Sequence, residues 1–191
     1  NLLVEVTGEE LPALDGSALP FALMLKEAGI FEQGKEAARL HLPSPVFYSE
    51  GDSHLVAFPH DGLKITYVAH YPHPLVGAQL FSAEISEELF LREIAPARTF
   101  GFEEEVAALL KRNLALGGSL ENALVIGKES YFSPPRFPDE IVRHKTLDLL
   151  GDLMLLGKPL DAHILAVRTS HRLNLQLVGR ITTEEAENAR H

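Results

Sequence analysis

Residues 139–157 read DEIVRHKTLDLLGDLMLLG and form the longest helical pattern in the chain. Asp139 and Glu140 stand at the end where a helix dipole favours negative charge, and Gly157 follows the last apolar residue. The pattern therefore predicts a mostly apolar helix from about 139 to 156. A helix of this kind needs a layer to pack against, and the strands that precede it supply one.

Strand patterns recur ahead of this helix, at 38–42, 45–48, 53–58, 63–69 and 79–85. Asp61-Gly62 predicts a hairpin between the third and fourth of them, because this pair tolerates positive φ. Helices are predicted at 87–95, capped by Ser86, and at 171–180, with a strand at 163–168 before the latter. Because the strands are grouped before the helices, we predict an α+β fold in which a two-layer antiparallel sheet packs on helices.

Residues 98–126 predict a small β-α-β insertion in this fold. A strand begins near Arg98, a helix is expected at 103–112, Gly117-Gly118 form a loop, and a second strand covers 123–126.

The first 34 residues hold one strand pattern, at 1–6, and one helix pattern at 18–28, with Ser17 as the N-cap. One strand and one helix do not make a domain. We therefore expect residues 1–34 to be the remnant of a first α+β domain and residues 35–191 to be a second α+β domain.

Composition excludes several classes of function. The 191 residues have a formal net charge of -10, which disfavours nucleic-acid binding, since phosphate contacts need concentrated Lys and Arg. No apolar run reaches the 18 to 20 residues of a transmembrane segment, and no signal peptide opens the chain, so we expect a soluble, unexported protein. With no cysteine, any metal site must be built from the nine histidines and the 27 acidic residues.

His144, Asp148 and Asp152 are spaced four residues apart in the long helix. This spacing places them in one polar stripe, which is either a solvated helix face or a line that faces a cleft. An imidazole and a carboxylate at i and i+4 can share a divalent cation, but a catalytic zinc ion needs three protein ligands. The third could be His171, His163, His73 or a residue outside this sequence.

Five motifs occur in a fixed order: Asp15-Gly16-Ser17-Ala18-x-Pro20-Phe21, Arg98-Thr99-Phe100-Gly101-Phe102, Leu116-Gly117-Gly118-Ser119, Val142-Arg143-His144-Lys145-x-x-Asp148-Leu149-x-Gly151-Asp152-Leu153 and Ser170-His171-x-x-Asn174. In this order the chain resembles the zinc-dependent UDP-3-O-acyl-N-acetylglucosamine deacetylases of lipid A biosynthesis. The resemblance implies a cytoplasmic hydrolase of a Gram-negative bacterium that removes the N-acetyl group of UDP-3-O-acyl-GlcNAc with Zn²⁺ as cofactor. It also implies two similar domains that pack helix layer against helix layer, with the insertion forming a passage for the acyl chain.

The resemblance assigns the catalytic residues by position. His144 and Asp148 would be zinc ligands, and Thr99 would help to hold the oxyanion. His171, oriented by Asp152, would stabilise the oxyanion and protonate the leaving amine.

It also assigns the substrate contacts. Lys145 would meet the phosphate region, Arg168 stands where the family tends to have lysine, and Tyr71 falls where an aromatic ring stacks on uracil. The acyl passage would be lined by Phe100, Val106 and Val125.

The chain departs from the family pattern in one important respect. The family's third ligand and its general base form a Glu-His motif, and no Glu-His dipeptide occurs here. We therefore expect this motif to precede residue 1 as part of a missing segment of the first domain, and the chain alone to be almost inactive. Thr169-Ser170-His171 also replaces the usual Ser-Gly-His, and His70 stands where an acidic residue is expected. The alternative is a non-catalytic α+β module that binds a nucleotide-linked ligand and whose polar stripe is solvated.

Overall fold

The computed structural model describes residues 2–8, 11–106 and 119–188, with residues 186–188 described by their backbone alone. The regular elements, in chain order, are α1 (Leu19–Ala28), β1 (Leu40–His41), β2 (Val46–Glu50), β3 (Ser53–Pro59), β4 (Leu63–Tyr71), β5 (Gly77–Glu84), α2 (Glu87–Leu89), β6 (Phe100–Phe102), β7 (Leu124–Ile126), α3 (Glu140–Leu153), β8 (Leu160–Val167) and α4 (His171–Asn188). A π-helical turn, Phe90–Ile94, extends α2, and a 3₁₀ turn, Met154–Leu156, extends α3. These elements confirm the predicted α+β class.

The main sheet has the strand order β2-β3-β8-β4-β5, with β1 paired to β8 outside this path. β8 runs antiparallel to β3 but parallel to β4 and β1, so the sheet is mixed rather than wholly antiparallel. The predicted hairpin is therefore wrong as a pairing: β8 lies between the strands that the Asp61-Gly62 turn connects. Gly62 has a φ of 81° as the turn requires, but a local turn signal does not determine which strands become neighbours.

The core lies between one face of this sheet and helices α3 and α4. Helix α3 packs over β4 and β5, and α4 packs over β2 and β3. Alternate residues of each strand point into this layer, as Leu55, Ile65 and Ile164 do, and all three are fully buried. The two-layer arrangement places the polar stripe of α3 near one end of the sheet, beside the start of α4.

The insertion contains the predicted β-α-β pattern as far as it is described. β6 and β7 pair in parallel, a helical turn begins at 103–106, and the rest of the predicted helix and the Gly117-Gly118 loop lie outside the described residues. The insertion is fixed to α3 by a buried ion pair: Nε of Arg98 donates to Oε1 of Glu140 at 2.9 Å. The two side chains are only 7% and 1% exposed.

The amino-terminal residues differ from the prediction at one point. Residues 2–6 do not form a strand: Leu2 and Leu3 are exposed, and no described strand pairs with this segment. Without a neighbour to accept its backbone hydrogen bonds, a β-prone sequence stays irregular. Helix α1 forms as predicted but with Ala18 as N-cap, while Ser17 Oγ accepts from the N–H of Leu19 at 3.3 Å. The division into two domains at residues 34 and 35 stays a prediction.

At the other end, α4 continues to Asn188, past the predicted end at Arg180. Among the described helices, none is both long enough and apolar enough to cross a membrane.

Candidate functional site

The polar stripe of α3 is largely buried. The side chains of His144, Asp148 and Asp152 are 13%, 17% and 14% exposed. A solvated helix face would leave these short polar side chains open to water, so the stripe belongs to a cleft. As the spacing of four residues predicts, the three side chains lie on one side of the helix on successive turns.

The His144 ring is oriented by the backbone that leads into β6. Its Nδ1 lies 3.1 Å from the carbonyl oxygen of Ala97, and because a carbonyl only accepts, Nδ1 donates. The other ring nitrogen, Nε2, then carries the lone pair of the neutral ring and lies 3.4 Å from Oδ1 of Asp148. Metal-binding histidines commonly donate their second nitrogen to a carbonyl in this way. An imidazole nitrogen and a carboxylate oxygen that converge like this fit the donor set of a zinc ion.

Asp148 connects the stripe to two cationic or protonatable side chains. Its Oδ2 accepts a 2.8 Å hydrogen bond from Nζ of Lys145, which is 13% exposed, and lies 3.9 Å from Nε2 of His171. The two carboxylate oxygens thus face different partners, since Oδ1 faces His144.

Asp152 and His171 form the pair that the resemblance implies. Nδ1 of His171 lies 2.9 Å from Oδ2 and 3.1 Å from Oδ1 of Asp152. His171 is the first residue of α4 and is 63% exposed, whereas Asp152 is mostly buried on α3. The packing of the two helices therefore brings together His144, Asp148, Asp152, Lys145 and His171.

Phe100 lies at the edge of this cluster, and Thr99 precedes it in the chain. Thr99 is exposed and stands two residues after Ala97, whose carbonyl holds His144. The Phe100 ring meets the His144 ring edge-on at 6.2 Å between centroids. Gly16 lies against the same segment, because its carbonyl accepts from the N–H of Thr99 at 2.7 Å.

Tyr71 closes β4 inside an aromatic cluster. Its ring centroid lies 5.5 Å from those of both Phe100 and Phe102, and burial raises the pKa of its hydroxyl. Tyr71, His73, Phe102 and Ile126 line a cavity of about 400 Å³, which residues 103–105 and Lys128 also line with charged side chains.

Val106 and Val125 lie in the insertion, and their role in an acyl passage stays a prediction. Gly101 pairs with Val125, and a side chain at Gly101 would come within 3.0 Å of Cγ2 of Val106. Both valines therefore pack around the backbone of β6, one residue from Phe100. Neither lines the 400 Å³ cavity, which lies at Phe102 and Ile126.

Arg168 lies at the end of β8 in a left-handed conformation, with a φ of 53°. Its side chain is 43% exposed, and Nη1 lies 3.4 Å from Oδ2 of Asp52. Arg168 and Tyr71 line a second cavity of about 330 Å³, together with Tyr67, His70 and Thr169.

Two of the alternative metal ligands lie away from the stripe. His163 alternates with the core residues of β8, so it projects from the face of the sheet opposite α3, where Nε2 lies 2.9 Å from Oγ1 of Thr66. Burial, with Lys64 nearby, lowers its pKa. His73 packs its ring on Phe102 in the larger cavity. Across residues 2–8, 11–106 and 119–188, no three His, Asp or Glu side chains are grouped to hold a metal ion.

Two contacts at the site were not predicted from the sequence, because each joins residues that are distant along the chain. Nδ2 of Asn174 donates to Oδ2 of Asp152 at 2.8 Å. The Tyr67 hydroxyl lies 2.9 Å from Oγ1 and 3.1 Å from the carbonyl oxygen of Thr169, and burial raises its pKa to about 12. Of the two, only the contact of Asn174 could have been expected from the sequence, because Asn174 stands three residues after His171 on the same predicted helix.

Comparison with known proteins supports the resemblance. The family model described as UDP-3-O-acyl N-acetylglycosamine deacetylase matches residues 1–183. Proteins named UDP-3-O-acyl-N-acetylglucosamine deacetylase are similar to the chain: that of Thermodesulfovibrio yellowstonii is 42% identical over 95% of the chain and 62% of the relative. That of Chlamydia felis is 46% identical over 98% of the chain and 68% of the relative, and that of Chlamydia abortus is 45% identical over 95% and 66%. The chain therefore spans about two thirds of the length of these relatives, and it belongs to the UDP-3-O-acyl-N-acetylglucosamine deacetylase family.

Proposed function

We propose that this chain carries part of the active site of a zinc-dependent deacetylase that removes the N-acetyl group of UDP-3-O-acyl-GlcNAc in lipid A biosynthesis. The observation that carries the proposal is the largely buried stripe of His144, Asp148 and Asp152, with His171 joined to it across two helices. The names of the relatives support the substrate and the reaction. As in the family, we place the reaction in the cytoplasm of a Gram-negative bacterium.

Nε2 of His144 and Oδ1 of Asp148 would hold the zinc ion. When bound, zinc polarises the amide carbonyl and lowers the pKa of water from about 16 to about 7. The chain's own contribution is to keep both donors aimed at one point: the Ala97 carbonyl fixes the imidazole, and the Lys145 ammonium fixes the second oxygen of the carboxylate.

His171 would protonate the leaving amine. Because Nδ1 is engaged with Asp152, Nε2 is the ring atom that faces the Asp148 side of the cleft and can carry the transferred proton. Thr99, which is exposed and directly precedes Phe100 in the chain, would contact the developing oxyanion.

The remaining predicted residues would bind the other groups of the substrate. The cavity shared by Tyr71 and Arg168 would take the uracil ring and the diphosphate, with Lys145 on the side of the reacting centre. The passage for the acyl chain would be formed on the insertion by Phe100, Val106 and Val125.

The 191 residues supply two zinc ligands and an acid but no Glu-His motif. We infer that the third ligand and the general base belong to a segment that this sequence lacks. The chain alone should therefore bind zinc weakly and release little or no acetate. The non-catalytic alternative assumed a solvated stripe, and the low exposure of its three side chains argues against it.

Zinc titration of the chain by calorimetry, combined with an acetate-release assay on UDP-3-O-acyl-GlcNAc, tests this proposal. His144→Ala should abolish the weak zinc binding, whereas His163→Ala, the matched control on the opposite face of the sheet, should leave it unchanged. Equal zinc binding by the wild type and His144→Ala would show that the stripe is not the metal site. Normal turnover by the 191 residues would show that no ligand or base is missing.

A further inference from the structure

We propose that Asn174 is a positioning residue for His171 and acts through Asp152. The inference rests on the proposed function, because it concerns the histidine to which that function gives the proton transfer. It goes beyond the pairing of His171 with Asp152 by naming the group that holds the carboxylate itself.

The contact geometry joins the three side chains at one oxygen. Oδ2 of Asp152 accepts from Nδ2 of Asn174 at 2.8 Å and faces Nδ1 of His171 at 2.9 Å. An amide nitrogen only donates, so Asn174 approaches the carboxylate as a donor, as the imidazole N–H does. His171 and Asn174 lie three residues apart on α4, so the helix backbone fixes the separation of the two donors.

His171 needs such a support because its ring is 63% exposed. Among the described residues, Asp152 is the one side chain within hydrogen-bonding distance of that ring. A carboxylate held by the imidazole alone could turn about its own side-chain torsions, and the exposed ring would turn with it. The Asn174 amide removes this freedom from the buried side.

The burial of Asn174 also points to a role other than packing. The residue is 0% exposed, and its Oδ1 has no hydrogen-bond partner within the described part of the chain. Burying an amide with an unpaired acceptor is unfavourable, so an apolar side chain of similar size would pack here at no such cost. Among the described residues, the amide has one hydrogen-bond partner, the carboxylate that orients His171.

The consequence for the chemistry is a fixed tautomer. With Nδ1–H donated to Asp152, the Nε2 atom of the neutral ring carries the lone pair and faces the cleft. When the ring is protonated, Nε2 gives its proton to the amide nitrogen as the C–N bond breaks, the electron pair of that bond stays on the leaving nitrogen, and the ring keeps its Nδ1–H. Asp152 stays a carboxylate throughout.

The tautomer is measurable by ¹⁵N NMR of the histidine-labelled 191-residue chain, at a pH where the imidazole is neutral. In the wild type, His171 should be mainly the Nδ1–H tautomer. Asn174→Leu should shift it to a mixture rich in Nε2–H, the form that an unconstrained ring prefers. Thr146→Val is the matched control: across the described ranges this buried hydroxyl bonds to Val142 of its own helix alone, so its loss should leave the His171 tautomer unchanged.

A folded Asn174→Leu with the wild-type tautomer would overturn the proposal, because a merely structural residue changes stability and not the ring tautomer. Should the leucine variant not fold, Asn174→Ala removes the same hydrogen bond with less crowding and is read in the same way. The readout needs neither zinc nor substrate. Failure of the deacetylase proposal would appear in the acetate and zinc assays, independently of this result.

Discussion

Tyr67→Phe should reverse its effect on stability as the pH rises. Tyr67 is 1% exposed, and its hydroxyl bonds to both oxygens of Thr169, in the loop between Arg168 and the start of α4 at His171. Phenylalanine keeps the ring in the core and removes only these contacts. Near neutral pH the variant should therefore be less stable by about 1 kcal/mol, the net value of a typical hydrogen bond.

At alkaline pH the buried hydroxyl makes the wild type less stable. Burial raises the pKa of Tyr67 from 10.0 to about 12, so the unfolded chain loses this proton first. The wild type keeps its full stability below pH 10 and loses about 1.4 kcal/mol per pH unit between pH 10 and 12, roughly 2 to 3 kcal/mol in total. Because the variant has no proton to lose at this position, the two stability curves should cross near pH 11.

Urea unfolding followed by circular dichroism at intervals from pH 8 to pH 12 measures both curves. Tyr71, Tyr131 and the lysines titrate in the wild type and in the variant alike, so the difference between the two free energies of unfolding isolates Tyr67. A difference that stays constant over the whole range would refute the reasoning, because it would mean that Tyr67 titrates alike in the folded and unfolded chain.

Two further substitutions test how the motif segments are held. Glu140→Ala leaves the guanidinium of Arg98 buried without its carboxylate, so the free energy of unfolding should fall by about 3 to 5 kcal/mol in a denaturant titration; a loss below about 1 kcal/mol would contradict a buried pair. Gly16→Ala places a methyl group 1.8 Å from the carbonyl oxygen of Asn122 at a φ of 78°, whereas Gly157→Ala has a left-handed φ of 69° and meets nothing within 4 Å. Both should lose about 1 kcal/mol because alanine disfavours a positive φ, but only Gly16→Ala should lower the melting temperature much further, and equal losses would refute the close contact.

The part of the site that lies on one helix could be predicted from the sequence. A spacing of four residues in an α-helix places side chains on adjacent turns, whatever the rest of the chain does. For this reason the stripe of His144, Asp148 and Asp152 was recognisable in advance. Whether the stripe is solvated could not be predicted from the sequence, since this depends on what covers the helix. In the structure its three side chains are largely buried.

The order of the sheet could not be predicted in the same way. The Asp61-Gly62 turn forms as expected, but β8 enters between β3 and β4 from a position some 90 residues further along the chain. Its central residues Ala162, Ile164 and Ala166 are fully buried, as a strand between two others requires. Turn chemistry is local, whereas strand neighbours are chosen by the packing of the whole core.

Lys145 and Arg168, the two cations that the resemblance places at the substrate, differ in their contacts and exposure. Lys145 is 13% exposed and donates to Asp148, so its charge compensates the carboxylate that we assign to zinc. Arg168 is 43% exposed and lines the same cavity as Tyr71, so its guanidinium is available to a diphosphate. With neutral histidines, Asp148, Asp152 and Lys145 leave one excess negative charge, which a divalent ion would turn into one excess positive charge. For the anionic nucleotide sugar proposed above as the substrate, a bound metal ion would thus turn repulsion at the cleft of this acidic chain into attraction, with Arg168 as the proposed first phosphate contact.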